Sequence, residues 1–98
     1  ERSTSQLPGY MVCAENLLRL KEIDDTQGTN YMQTLRTYLE NHLNAVQSAK
    51  DLFIHRSTFL YRLDKIKKIM ETELDDSDEL LYLLLSFRLL DLEEERQE

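Results

Sequence analysis

In "IHRSTFLYRLDKIKK", Ile54 to Lys68, hydroxyls, a phenol and cations succeed one another over the length of a single helix. Arg56 offers a planar fork of donors that fits guanine O6 and N7 together. Ser57 and Thr58 beside it suit base edges or a thymine methyl. Lys65 and Lys68, farther along, are point charges suited to phosphate. His55 reads as a phosphate contact or as a polar cap on the helix. Tyr61 contacts a phosphate or base, or lies across the helix surface. Arg62 falls on the flank, where bracing an acid of the fold competes with touching a polyanion. For Arg56 the competing role is a surface pair with Asp51. No nucleophile–base–acid arrangement, glycine-rich phosphate loop or set of ligands at metal spacing accompanies these residues. Catalysis, a cofactor and a metal therefore have no support.

Charge sets the segment apart. The 98-residue chain carries −7, yet Lys50–Lys68 holds six of its twelve Lys and Arg against two acids. That stretch is +4 and the remainder −11. A basic island of this kind binds a polyanion in one orientation, and weakly for a lone chain.

Such a face needs a helix whose other side is buried. Phe59, Leu63, Ile66 and Met70 recur at i, i+4, i+7 and i+11, predicting a helix from about Arg56 to Met70. At about 100° per residue its outward half holds Ser57, Thr58, Tyr61, Asp64, Lys65 and Lys68. Upstream, Asn44 with Gln47 three residues on has the form of a capping box. It opens a short helix with Ala45, Val46, Ala49 and Leu52 inward, and "FIH" separates the two helices. Ala49 is small enough for them to press together, and Leu52 and Ile54 bracket the turn. These are the parts of a helix-turn-helix over about residues 45–70. In that arrangement the first residues of the second helix reach base edges in the major groove of double-stranded DNA. The Asn44–Gln47 end offers free amides to a phosphate. Phe53 stands in the turn where glycine is common, which implies a wider turn or strain relieved by burying the ring.

The rest of the chain reads as more helix. "YMVCAENLLRLKEI" places Met11, Ala14, Leu17 and Leu18 on one face, and "DDTQGTN" follows as a loop. "YMQTLRTYLENHL" is amphipathic through Met32, Leu35, Leu39 and Leu43. After the polar "ETELDDSD", Asp76 with Glu79 signals a last helix over about 77–95. Its leucines exceed what one face of a small bundle buries. Either it is the central helix, or one side, through Leu81 and Leu85, meets another chain. No strand pattern is present. The expected fold is all-α, a bundle of about five helices containing the helix-turn-helix. Residues 1–28 form a lead-in, "ERSTSQL", a connector helix and a loop; residues 29–98 form the helix-turn-helix unit. A single cysteine, Cys13, suggests a reducing compartment, the cytoplasm. Cys13 and His42 read as structural or incidental. No apolar run reaches the roughly 18–20 residues of a membrane span. A start at Glu1 reads as a piece of a longer protein.

"TLRTYLENHLNAVQSAKDLFIHRSTFLYRLDKIKKI" resembles the C-terminal DNA-binding domain of the PucR/CdaR group of bacterial regulators. The resemblance rests on Thr34, Leu35, Tyr38 and Leu39, on Ala49, Leu52, His55, Arg56, Thr58, Arg62, Leu63 and Ile66, and on Leu83 to Leu90. It covers roughly Asn30 to Leu92. The chain departs from it at Phe59 and Leu60, where a Leu-Arg pair is common, and in its acidic tail. The resemblance implies a transcription factor fragment whose N-terminal region, absent here, binds a small-molecule effector. It also implies a homodimer reading paired half-sites. Two classes of function follow: a sequence-specific DNA-binding domain, or an interaction module using the leucine-rich last helix without DNA. A DNA reader needs the outward face of Arg56–Lys68 exposed and positive; an interaction module depends on Leu81 and Leu85.

Overall fold

The computed structural model describes residues 9–97; the lead-in expected at the start of the chain lies outside them. Five helices run α1 (Gly9–Gln27), α2 (Tyr31–Glu40), α3 (Ala45–Asp51), α4 (Arg56–Met70) and α5 (Ser77–Gln97), with no strand among the described residues. The all-α bundle is as expected. Its centre is Phe59, Leu63, Ile66 and Met70 of α4, the four residues the spacing predicted, with Leu35 and Leu39 of α2 and Leu83 and Phe87 of α5. No helix is long and apolar enough to cross a membrane.

α1 lies along α5 and also reaches α2 and α4. Its inward residues are Cys13, Leu17 and Leu20, whereas Met11 and Leu18, expected inside, face solvent. Apolar residues surround this helix, so periodicity alone does not select its buried side. Cys13 belongs to the core, and burial there pushes its thiol up.

The loop expected from Asp24 begins only at Gly28. Lys21 pairs with Asp25 and the Thr26 hydroxyl donates to the Glu22 carbonyl, which carries α1 on to Gln27. Gly28 at φ +70° then ends it. Asp24 has a second role. Its carboxylate accepts from the backbone N–H of Tyr31 and of Met32, both at 2.9 Å, and from the Thr29 hydroxyl. Asn30, at the capping position of α2, makes no such bond, so α2 is capped by a side chain of α1.

α2 stops at Glu40, earlier than "ENHL" suggests. His42 and Leu43 take left-handed backbone angles, and the Leu43 N–H donates to the Tyr38 carbonyl at 2.8 Å. Arg36 ties this helix to α5. Its guanidinium grips both oxygens of Asp91, reaches Glu40 and lies 5.6 Å from the centre of the Phe87 ring. The hydrogen bonds from Arg36 hold the Asp91 carboxyl below its ordinary range. Between α4 and α5, Leu74 drops into the core from a stretch whose polarity hides it. The Asp76 cap forms as read, with the Glu79 N–H donating to its carboxylate at 2.9 Å.

Among the described residues α5 is not enclosed by the other four helices, since it packs on α1 and α2 alone. Leu83 and Phe87 are buried, while Leu81, Leu84, Leu85, Leu89 and Leu92 stay exposed. It is a core helix with an uncovered outer side.

Candidate nucleic-acid interface

α3 and α4 are joined by Leu52–His55, and the joint depends on small inward residues. Ser48 and Ala49 are buried, which lets α3 approach its neighbours closely. Val46, expected inward, is exposed, and Ser48 takes the inner position. A serine can sit there because its hydroxyl donates to the Asn44 carbonyl at 2.7 Å. Asn44 caps α3 by accepting from the Gln47 N–H at 3.0 Å. The reciprocal half of the box does not form, since the Gln47 amide donates to Asp51 instead, at 2.8 Å.

The turn closes through two backbone bonds, Phe53 N–H to the Lys50 carbonyl and Ile54 N–H to the Ala49 carbonyl. That geometry places Phe53 at φ 57°, the left-handed position where glycine is usual. Its ring is not buried: it stands 95% exposed. Nothing packed against the ring offsets the backbone penalty. Phe53→Gly is therefore expected to raise stability by roughly 0.5–1 kcal/mol, the left-handed cost less the entropy glycine adds to the unfolded chain. A shift of the urea midpoint at constant slope reads this out.

His55 caps α4. Its Nδ1 accepts from the Ser57 N–H at 3.1 Å and lies 2.8 Å from the Ser57 hydroxyl. With Nδ1 accepting, the proton of a neutral ring sits on Nε2, which stays available as a donor. Arg56, Ser57, Thr58, Tyr61 and Lys68 are exposed together on the outward side of α4. Arg62 and Lys65 are half-buried. The Lys65 ammonium lies 5.5 Å from the centre of the Tyr61 ring, and Lys68 pairs with Asp64 at 3.1 Å.

Arg56 has no ion-pair partner among the described residues. The carboxylate of Asp51, its expected competitor, is taken by Asn41 and Gln47, whose hydrogen bonds hold it below its ordinary range. The guanidinium is thus exposed at the leading end of α4, with no acid among the described residues holding it. Leu60, which the sequence marks only as a departure from the family's Leu-Arg pair, is exposed beside this surface. It is 43% exposed, one turn beyond Arg56 and one before Asp64. Its apolar character is uninformative by itself, and at about 100° from Phe59 it falls on the flank, outside the outward half that the spacing defines.

The family model for the PucR C-terminal helix-turn-helix domain matches residues 31–89, from the start of α2 to within α5. The purine catabolism regulatory protein of Bacillus subtilis (strain 168) is 36% identical over 58 residues, 59% of this chain and 11% of that protein. The carbohydrate diacid regulator of Escherichia coli (strain K12) is 34% identical over 83 residues, 85% of this chain and 20% of that protein. The proline-responsive transcriptional activator PutR of Bacillus subtilis is 34% identical over 62 residues, 63% and 15% of the two chains. The chain thus spans a fifth or less of these relatives' length. No solved structure matches it significantly.

Proposed function

The chain belongs to the PucR C-terminal helix-turn-helix domain family, and on that premise we propose that it is the sequence-specific DNA-binding domain of a bacterial transcriptional regulator. The observation that carries this reading is Arg56, exposed and without an ion-pair partner among the described residues, at the N-terminal end of α4 in a segment that holds six of the chain's twelve Lys and Arg. α4 is the recognition helix. Its first turn enters the major groove, with Arg56 on a guanine and Ser57 and Thr58 on neighbouring edges. Leu60 is placed for a thymine methyl, and Tyr61 for a base or phosphate. Lys65 and Lys68 take phosphates, Lys68 after leaving Asp64, and Arg62 supports them from the flank. His55 adds a phosphate contact through Nε2 without giving up its cap. Gln47 reaches the backbone only by releasing Asp51.

Residues 29–98 are the DNA-binding unit in this reading, and α1 is the connector to an N-terminal region that binds a small-molecule effector. The protein works as a dimer on paired half-sites in the cytoplasm. The competing reading, an interaction module without DNA, draws on the exposed leucines of α5, but those leave the α4 face unexplained.

Fluorescence anisotropy of labelled duplexes, titrated at several salt concentrations, tests the reading. Affinity is expected to fall with a log–log slope of about −2 to −4, as two to four cations displace counterions at about 0.9 each. Affinity independent of salt, or absent at low salt, contradicts it.

A further inference from the structure

We propose that the outer side of α5 pairs with the same helix of a second copy of this chain, antiparallel and about a two-fold axis. Asp78, Leu81, Leu85, Arg88 and Leu92 follow one another at steps of three, four, three and four, the spacing of a coiled-coil seam. All five are exposed, with Leu81 at 62%, Leu85 at 50% and Leu92 at 41%. The helix already buries its other side through Leu83 and Phe87, so this is a second seam.

The order of residues along the seam selects the partner. Leu81 with Leu85 and Asp78 with Arg88 are both centred on position 83. A two-fold axis there, with the helices antiparallel, sets Leu81 against the partner's Leu85 and Arg88 against the partner's Asp78, and leaves Leu92 beyond the end of the contact. Every contact then occurs twice, as a closed two-fold interface requires. A parallel pairing would instead set like charges together. Neither Asp78 nor Arg88 has an ion-pair partner among the described residues, so both are available for this contact.

The contact is short, and each copy carries −7, so association belongs to the transient class. The proposal does not rest on DNA reading and can fail independently of it.

Sedimentation equilibrium of the 98-residue chain, up to about 1 mM, is the test. The expected result is a reversible monomer–dimer equilibrium that Leu85→Glu abolishes across the range. Leu85 is half exposed, so that variant should keep the fold, which circular dichroism verifies. Asp78→Arg and Arg88→Asp should each weaken association about tenfold, as two exposed pairs turn repulsive. The double variant, with the charges exchanged, should recover the original affinity. A chain that stays monomeric throughout, a dimer indifferent to Leu85→Glu, or a double variant no better than the singles each overturns the proposal.

Discussion

Replacing Arg56 with alanine is expected to cost the domain about 10- to 100-fold in affinity for its preferred duplex and to leave its thermal stability unchanged. Arg56 is exposed and has no ion-pair partner among the described residues, so the fold loses no ion pair with it. As the fork opposite a guanine, it would supply two hydrogen bonds at one base pair, worth about 1–3 kcal/mol of discrimination. The loss should therefore appear as relaxed preference at a single position. Binding to unrelated duplexes should change by only the few-fold effect of one removed charge. Titrating the wild type and the variant on preferred and scrambled duplexes separates the two effects. A variant that keeps its sequence preference would remove Arg56 from the reading.

Phe59→Ala, three residues along the same helix, should do the reverse. Its ring is fully buried beside Tyr38, with ring centres 5.6 Å apart. Truncation removes the transfer free energy of the ring and leaves a cavity among α2, α4 and their neighbours. The expected loss is about 3–5 kcal/mol. That is a large share of the roughly 5–15 kcal/mol that holds a small domain together. The melting temperature should drop by on the order of 15–30 °C, with Phe59→Leu intermediate. Urea unfolding followed by circular dichroism gives the comparison. A loss below about 1 kcal/mol would mean that the core does not close on this ring.

The contrast between these neighbours also shows which parts of the molecule were readable in advance. On α4 every buried position is apolar and most of the outward ones are polar, so a period of 3.6 assigns the two faces without ambiguity. Leu60, on the flank between the two faces, is the exposed apolar exception. α1 has apolar side chains around its circumference, so Met11 and Leu18 looked as inward as Cys13 and Leu20 prove to be. The boundary after α1 was misplaced because aspartate, threonine and glutamine resemble a loop in composition. What extends that helix is the placing of Lys21, Asp25 and Thr26 one turn apart, and what caps α2 is Asp24 acting across the turn. Contacts between elements of this kind leave no local pattern. Phe53 was misjudged for another reason. Hydrophobicity favours burying the ring, but the left-handed backbone that the turn demands points it into solvent.

The Arg36–Asp91 clamp lay outside sequence reasoning as well, since it joins residues 55 positions apart. It fastens α2 to the half of α5 whose outer side carries Leu85, Arg88 and Leu92. Helix α5 is thereby held from within while its second seam faces outward. The faces proposed for DNA reading and for pairing lie on different helices, α4 and α5, so substitutions can test each without touching the other.

The most direct test of the central claim is selection of duplexes from a random pool by this chain at low salt. Enrichment of a motif containing a guanine, lost when Arg56→Ala replaces the wild type, is the predicted result. Binding that enriches no sequence, or a motif that survives the substitution, would contradict recognition through α4.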